Sequence, residues 1–436
     1  MAATSKFSLS KISATRHVLF LLCLMYGLTY VDRVNVSTAS SVFKQDLHLS
    51  NTQVGLVFSA FAYPYLAFQI IGGWLSDRFG ARRTLTISAM IWAVATVLTG
   101  LATSLATMLA ARVLLGFGEG ATFPGATRAM SDWTPNSKRA FSQGITHSSA
   151  RLGNALTPPL VAWLIAWVTW RGSFIILGII SIAWAVVWGW YFRDDARTHR
   201  GITPEELLLL PNCGVPEGKK EPIPWGPLVR RMIPVTVVYF CYGWTLWLYL
   251  AWIPAFFFHS YHLNLMNSAF FSSGVFFAGV LGDTLGGILS DRILRRTGDL
   301  NKARCNLVVV GFLCSLACMA PVLYTHNLKG AALCLSLAFF FSEFTIGPMW
   351  AIPMDIAPRF SGCASGLMNA GSALAAIISP LVSGFVIDKT GNWELPFLGS
   401  VGLLFLGSIL AFWMKPQEEL VTINLSDASV VKQAAM

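Results

Sequence analysis

Charged residues are scarce in this sequence. Asp, Glu, Lys and Arg make up 12% of its 436 residues, about half the share of roughly 25% that soluble domains carry. So few charges cannot cover the surface of a water-soluble protein of this length. Hydrophobic residues account for 55% of the chain, and they predict a protein whose surface is covered mainly by lipid.

Several chemical motifs are also missing. The phosphate-binding pattern GxxxxGK[ST] does not occur, so the sequence offers no evident ATP site. The eight cysteines include no CxxC pair, and most lie in apolar runs, which indicates small buried side chains rather than a metal site. No cluster of His, Asp and Glu points to catalysis. We therefore predict no metal, no cofactor and no enzymatic activity.

Long apolar runs dominate what is present. A helix needs about 20 mostly apolar residues to cross roughly 30 Å of hydrocarbon, and twelve segments, called here spans one to twelve, meet that need. They are residues 17–38, 53–75, 84–102, 106–129, 142–166, 171–192, 233–256, 268–290, 304–324, 330–351, 363–386 and 395–414. The sequence thus predicts an all-α membrane protein with twelve transmembrane helices.

The two halves of the chain repeat one another. The run GGWLSDR at 72–78 recurs as GGILSDR at 286–292, 214 residues later. The stretch 144–158 parallels 366–380, 222 residues later, and each begins with Gly and ends with Pro. Two repeats in the same order at nearly the same offset indicate a parallel duplication. Such halves place a binding site between them at mid-membrane.

The domains and the orientation follow from these segments. The predicted parts are an N-terminal tail 1–16, a six-helix bundle 17–192, a linker 193–232, a second six-helix bundle 233–414 and a C-terminal tail 415–436. Of the 31 Lys and Arg, 24 fall in the tails, the linker and the loops on the same side. Because Lys and Arg accumulate on the cytoplasmic side, both termini are predicted to be cytoplasmic. The net charge of +10 is then a topology signal and not a sign of nucleic-acid binding.

A family signature follows the second span. Residues 73–83, GWLSDRFGARR, resemble the loop between the second and third spans of the major facilitator superfamily, and the partial copy after span eight is expected there too. The resemblance covers essentially the whole chain and implies the major facilitator fold of two six-helix repeats. It also implies that Gly73, Asp77, Arg78 and Arg82 form a conformational latch on the cytoplasmic face rather than a substrate contact.

A narrower resemblance lies in spans one and four. Residues 30–35, YVDRVN, and residues 112–124, RVLLGFGEGATFP, are similar to the anion:cation symporters, which include bacterial galactonate, glucarate, hexuronate, tartrate, phthalate and sulfonate permeases. That family implies a multi-pass protein of the bacterial inner membrane that moves an organic anion with protons. It also implies proton-coupling roles for Asp32, Arg112 and Glu119.

The physics of buried charge is compatible with that role. A charged side chain at mid-bilayer costs at least about 2.5–3.5 kcal/mol, so it should face the interior and have a partner. Arg112 and Glu119 are seven residues apart, on one helix face and about 10 Å from each other, and they can bracket Asp32 on span one. Two carboxylates that share an arginine can load and release a proton. The alternative is a static ion pair that holds the two spans together.

The neighbouring arginine is the predicted anchor for the anion. Arg33 points about 100° around the helix from Asp32, and its guanidinium can bind a carboxylate in two places and cannot be neutralised. The family also uses this position for the acid group of the substrate. Tyr30 lies on the same stripe of span one, and Tyr65 matches a cavity tyrosine of the family.

The remaining candidates lie outside spans one and four. Arg151, in span five, is an arginine that the family does not generally place there, and a second cavity arginine suits a dianion. The alternative is that Arg151 neutralises Glu343 in span ten or another buried acid. Trp350 and Asn369 are predicted to contact the substrate, and Asp283 is expected to be structural.

Together these features predict a secondary transporter and not an enzyme. It is expected to be a monomer that imports a small organic anion, such as a sugar acid, a dicarboxylate or sulfoacetate, by proton symport and alternating access. The alternative is an exchanger of organic anion and phosphate without proton coupling, which would use Arg33 and Arg151 as a pair. Asp32 and Glu119 count against that alternative, because an exchanger needs no titrating carboxylate.

Overall fold

The chain is helical throughout the part that the structure describes. The computed structural model describes residues 13–49, 53, 56–58, 60–211, 222–263, 265–324 and 327–420. Within these ranges every regular element is an α-helix or a short 3-10 helix, which confirms the all-α prediction. Most of both predicted tails lies outside the described residues.

The first half begins with α1, Ala14–Asp46, which contains span one. The other α-helices whose bounds the structure describes in this half are α2, Ala62–Phe79; α3, Ala81–Gly100; α4, Leu105–Gly120; α5, Thr122–Trp133; and α6, Arg139–Tyr191. Span four consists of α4 and α5, with a break at Ala121. Spans five and six both lie in α6, and Thr169, at φ 74° and ψ 169°, marks the kink between them.

The linker is tied to the start of α1. A short helix, α7, spans Pro204–Leu209 and begins with a capping box between Thr203 and Glu206. The Glu206 carboxylate also accepts hydrogen bonds from the Ser13 hydroxyl and, over 3.0 Å, from the Thr15 hydroxyl. We call the end of the bundle that carries these contacts the linker face.

The second half repeats the first. Its helices are α8, Trp225–Ser260; α9, Leu265–Thr297; α10, Leu300–Ala303; α11, Cys305–Met319; α12, Leu328–Glu343; α13, Ile346–Ile356; α14, Ser361–Thr390; and α15, Leu395–Leu410. Helix α8 begins before the predicted end of the linker at 232, which Pro227 permits because proline is tolerated in the first helical turn. Span ten consists of α12 and α13, with a break at Phe344 and Thr345. It is the counterpart of the break at Ala121 in span four.

Ten stretches of the described residues are long and apolar enough to cross a membrane, and they correspond to spans one to three and six to twelve. Spans four and five are less apolar because both carry many polar side chains. Those side chains, such as Thr122, Thr127, Gln143 and Thr146, are buried inside the protein. A helix that is enclosed by other helices has little contact with the lipid tails, so it can cross the membrane with fewer apolar residues. Ten apolar stretches are therefore consistent with twelve spans.

The halves meet mainly through two helix pairs, α6 along α9 and α2 along α14. Helix α6 also contacts α13, and α5 also contacts α14. In the repeat, the first part of α6 is equivalent to α14, and α2 is equivalent to α9. The interface between the halves therefore has approximate twofold symmetry, and most predicted site residues lie on it or beside it.

Candidate functional site

Four buried charged residues of the first half meet at one place. Asp32 and Arg33 come from α1, and Arg112 and Glu119 come from α4. Three are at most 3% exposed, and 11% of the Arg33 side chain is exposed. The Arg33 Nε donates a hydrogen bond to Glu119 Oε2 over 2.5 Å. We call these four residues the first cluster, which is neutral when all of them are ionised.

The close ion pair in this cluster is made by an arginine to which the sequence gives another role. We expect Asp32 and Glu119 to share Arg112, but Arg33, the predicted anchor for the anion, makes the close contact with Glu119. The Arg112 Nε instead donates to the backbone carbonyl of Val57 over 3.3 Å, and Asp32 accepts from a serine hydroxyl of α6 over 3.4 Å. The 100° step between adjacent helical residues turns Arg33 toward Glu119. Arg112 still interacts electrostatically with both carboxylates.

Aromatic rings surround the Arg33 guanidinium. Its Cζ lies 5.0 Å from the ring centre of Tyr30, 4.6 Å from that of Tyr65, 5.1 Å from that of Phe61 and 5.4 Å from that of Phe123. Each such contact contributes about 0.5–2 kcal/mol. The Arg33 Nη2 is buried and has no hydrogen-bond partner among the described residues. The site therefore contains a fixed positive charge with an unused donor.

Two members of this aromatic set are absent from the predictions. Phe61 precedes Tyr65 by four residues, and Phe123 follows Glu119 by four. Because residues four apart share a helix face, the spacing could have indicated both. The structure brings the predicted Tyr30 and Tyr65 to the same guanidinium from different helices.

A second group of buried charges joins the two halves. The Arg151 Nη2, from α6, lies 2.9 Å from Glu343 Oε2, and its Nε donates to the same oxygen over 3.0 Å. The Tyr242 hydroxyl, from α8, donates to Glu343 Oε1 over 2.9 Å and accepts from Arg151 over 3.1 Å. This is the pairing that the sequence leaves open as the alternative to a substrate contact.

Asp283, from α9, belongs to this group. Its Oδ2 lies 4.0 Å from Arg151 Nε, and its side chain is fully buried. Neither carboxyl oxygen receives a hydrogen bond from the described residues. We call Arg151, Asp283 and Glu343 the second cluster, which has one positive and two negative groups. The expectation of a merely structural Asp283 misses this placement because its repeat counterpart, Gln69, carries no charge.

The last two predicted substrate contacts are already engaged within the protein. The Trp350 Nε1 donates to the Tyr239 hydroxyl over 2.7 Å, and the Asn369 side chain donates to Gln69 over 2.8 Å. The Trp350 ring also contacts the imidazole of His147, with ring centres 5.0 Å apart. Trp350 therefore lies between the clusters, whereas Asn369 joins α14 to α2. No group of three or more His, Cys, Asp or Glu in the described part of the chain is arranged to hold a metal ion.

Two aspartates clamp the halves together at the linker face. Asp77 accepts hydrogen bonds from the backbone N–H of Gly362 over 3.0 Å and of Cys363 over 2.7 Å. Its repeat counterpart Asp291 accepts from the backbone N–H of residues 140 and 141 over 3.3 and 2.7 Å. Each carboxylate thus sits at the N-terminus of a helix of the other half, where unpaired N–H groups and the helix dipole favour negative charge.

The other predicted latch residues divide between the interface and one half. A Cβ at Gly73 would lie 2.3 Å from the Gly362 carbonyl oxygen, so only glycine permits the two backbones to approach this closely. Arg82 donates to the Gly189 carbonyl within its own half, and Arg78 lies against the rings of Trp74 and Phe79. Gly73 and Asp77 contact the other half of the protein, whereas the hydrogen bond from Arg82 to Gly189 stays within its own half.

The two aspartate clamps are not equally supported. Arg304 donates to Asp291 over 3.1 Å and to Asp355 over 3.0 Å, and Arg139 of the first half donates to Asp355 over 3.0 Å. At the other clamp, Arg128 lies 4.0 Å from Asp77. The Asp291 clamp is therefore part of a buried network, of which the sequence predicts only the repeated signature that contains Asp291.

Comparison with known proteins decides the family. Residues 22–380 match the model of the Major Facilitator Superfamily. The chain belongs to the Major Facilitator Superfamily. This superfamily match includes both halves and both clusters, and it confirms the predicted two-repeat helical fold and the prediction of a multi-pass transporter rather than an enzyme.

Relatives within the superfamily agree with the narrower resemblance to the anion:cation symporters. The chain is 45% identical over 416 residues to the probable sulfoacetate transporter of Cupriavidus necator, covering 95% of this chain and 96% of that protein. It is 30% identical over 389 residues to the D-galactonate transporter of Escherichia coli, covering 86% and 90%. Both alignments extend across most of each protein.

Solved structures show the same fold. The superfamily transporter FucP, in its outward conformation, matches 92% of this chain and 99% of its own with a TM-score of 0.72 and 14% sequence identity. The human organic anion transporter MFSD10 matches 91% and 99% with a TM-score of 0.70 and 16% identity.

Proposed function

We propose that this protein is a proton symporter that imports a small organic anion by alternating access. The observation that supports it most is the environment of Arg33. Its guanidinium is held among aromatic rings, one of its buried donors is unused, and its one close carboxylate partner, Glu119, can be displaced. A carboxylate or sulfonate of a substrate can bind such a group in two places.

The charge balance of the first cluster links the anion to a proton. The cluster is neutral when its two arginines and two carboxylates are ionised, so an acid group of the substrate that binds there adds one negative charge in a region shielded from water. The anion also competes with Glu119 for the Arg33 guanidinium. A carboxylate that loses its arginine in a low-dielectric site takes up a proton. Anion and proton therefore enter and leave together.

The substrate class that fits best is a short dianion such as sulfoacetate. The relative that is 45% identical is described as a probable sulfoacetate transporter, and others are described as probable galactarate/D-glucarate transporters. Beyond Arg33, the Tyr30 hydroxyl lies 3.5 Å from Arg151 Nη1. A molecule with acidic groups at both ends can lie between the two arginines once Arg151 leaves Glu343.

The linker face is the cytoplasmic side in this proposal, because the excess of Lys and Arg lies there. Between the described residues, hydrogen bonds that join the halves extend from Arg151 to the Asp77 and Asp291 clamps at that face. This conformation is thus closed toward the cytoplasm. Separation of the clamps would open the site toward the cytoplasm. In this proposal the protein lies in the inner membrane of a bacterium and works as a monomer.

Purified protein in liposomes tests the proposal. With an inward proton gradient, we expect sulfoacetate to accumulate in liposomes that contain the wild-type protein. The Glu119→Gln protein should exchange internal for external sulfoacetate but should not accumulate it, because it lacks the displaced carboxylate that takes up the proton. Unchanged accumulation by Glu119→Gln would refute the coupling role of Glu119.

The matched control is Glu394→Gln, which removes a half-exposed carboxylate just before α15 and far from both clusters. It should transport as the wild type does. Sulfoacetate counterflow with no dependence on pH in the wild type would favour the exchanger instead.

A further inference from the structure

The second cluster has more negative than positive charge. Asp283 and Glu343 are fully buried, and Arg151 is 2% exposed. The two carboxyl groups meet at one guanidinium nitrogen, because the Arg151 Nε lies 3.0 Å from Glu343 Oε2 and 4.0 Å from Asp283 Oδ2. If both were ionised, one buried negative charge would be uncompensated, and an unpaired buried charge costs several kcal/mol. One proton on the pair removes that charge and supplies the hydrogen bond between them.

We propose that Asp283 and Glu343 form a second proton-binding site that holds one shared proton while the linker face is closed. Glu343 keeps its contacts with Arg151 and Tyr242, so it remains the ionised partner most of the time. Asp283, which receives no hydrogen bond from any described donor, carries the proton and donates it to Glu343. This site goes beyond the proposed symport and does not depend on which anion is carried.

The groups around the pair do not supply the missing positive charge. Tyr242 of α8 donates to Glu343, and the Tyr239 ring stacks on that of Tyr242 at 5.2 Å between ring centres. Tyr30 of α1 lies on the far side of Arg151. His147 of α6 is enclosed by aromatic rings, and the charge that it faces is Arg151 rather than either carboxyl group.

The position of the site couples the proton to the movement of the halves. Arg151 belongs to the first half and both carboxyl groups to the second, so the cluster is intact only while the halves are together. When they separate, water reaches the carboxyl groups and the cost of a second negative charge falls. The proton is then released toward the linker face. Protonation therefore favours the closed linker face, and deprotonation favours the open one.

The test measures opening of the linker face and needs no substrate. Spin labels on the exposed linker-face residues 83 and 296, one in each half, report the closed and open populations by distance as pH is varied. The slope of the logarithm of the opening constant against pH counts the protons released on opening. We expect Asp283→Asn and Glu343→Gln each to lower that slope by about one proton relative to the wild type, since either variant leaves one carboxylate for one arginine.

Ser148→Ala is the matched control. The Ser148 hydroxyl lies 2.6 Å from that of Thr284 on the same two helices, α6 and α9, so this variant loses a contact between the halves but no titratable group. It should change the opening constant at every pH by the same factor and keep the wild-type slope. Wild-type slopes in both carboxamide variants would overturn the proposal.

Infrared difference spectra provide a second, independent readout. The wild type should show the C=O band of a protonated buried carboxyl group that is missing from both Asp283→Asn and Glu343→Gln. Glu119→Gln should keep this band. If neither second-cluster variant loses a protonated carboxyl band, the pair carries no proton and the proposal is wrong. Failure of proton-driven sulfoacetate uptake would refute the proposed symport but would leave both of these results unaffected.

Discussion

The two charged clusters are built from the same side-chain types but differ in balance and in place. The first has two arginines and two carboxylates, all contributed by one half, and it keeps its composition when the halves move. The second has one arginine and two carboxylates, divided between the halves. The difference indicates that a balanced cluster within one half suits the binding of a ligand, whereas an unbalanced cluster across an interface suits the sensing of movement.

The largest effect should come from Arg33. Arg33→Lys keeps the charge but loses the fork that binds an acid group in two places, and it leaves Glu119 poorly paired. We expect sulfoacetate affinity to fall by about 100-fold, which corresponds to about 3 kcal/mol, a usual cost of disrupting a buried pair. Isothermal titration calorimetry measures it.

Arg171→Lys is the control for that substitution, because Arg171 pairs with Asp46 at a half-exposed site. Its affinity should match the wild type. If Arg33→Lys binds sulfoacetate as tightly as this control does, Arg33 does not anchor the anion. The first cluster would then not be the ligand-binding cluster of the two.

Removal of the only arginine of the second cluster should destabilise the protein. Arg151→Gln leaves Asp283 and Glu343 without a cation, and breaking a buried pair costs about 3–5 kcal/mol. Thermal unfolding in detergent should show a clear fall in Tm. Adding Glu343→Gln to Arg151→Gln should recover part of the loss, because it removes one of the two stranded carboxyl groups. A double variant less stable than the single one would contradict the charge balance argued for this cluster.

A larger residue at Gly73 should force open the interface between the halves, which the second cluster also joins. Gly73→Ala places a methyl group 2.3 Å from the Gly362 carbonyl oxygen, and overpacking of this kind costs about 1–3 kcal/mol. We expect the closed linker face to lose population. The buried Cys363, next to Gly362, should then react faster with a thiol reagent, as measured by mass spectrometry.

Gly226→Ala provides the comparison, since a Cβ there meets nothing within 4 Å. It should leave the reaction rate of Cys363 unchanged. Equal rates in both variants would show that the close approach at Gly73 does not hold the halves together.

The smallest effect concerns the linker, which lies outside both clusters. Burial raises the pKa of Glu206, but hydrogen bonds from Ser13, Thr203 and Thr15 outweigh it, so the pKa lies below its ordinary value. A lowered carboxyl pKa stabilises the contact above the ordinary pKa, and that stabilisation is lost as pH falls through the lowered value. The protection of backbone N–H groups in 203–209 against hydrogen exchange, corrected for the intrinsic pH dependence of exchange, should therefore fall a few-fold on acidification, in line with a bond worth about 1 kcal/mol.

Glu206→Gln should show the lower protection already at neutral pH and little further change in protection with acid. Protection that is unaffected by either pH or the substitution would mean that the linker is held by other contacts. Neither result should change the slope of the logarithm of the opening constant of the linker face against pH, because that slope comes from the second cluster.

Much of this arrangement could be predicted, but the pairing of charges could not. The cost of charge in hydrocarbon shows that Asp32, Arg33, Arg112, Glu119 and Arg151 must face the interior. Helix geometry then fixes which residues of one helix share a face. It does not say which residue of a neighbouring helix lies opposite, and so the sequence does not predict that Arg33, rather than Arg112, is the close partner of Glu119.

The sequence by itself determined the membrane class, the two-half repeat, the latch signature and the identity of most buried charges, because apolar length, loop charge and repetition are properties of the chain alone. Only the tertiary structure decided that Arg33 pairs with Glu119, that Asp283 joins Arg151 and Glu343, and that each aspartate clamp caps a helix of the other half. The physical reason is that these contacts join residues far apart in the chain, and helix packing, not local spacing, sets their distances.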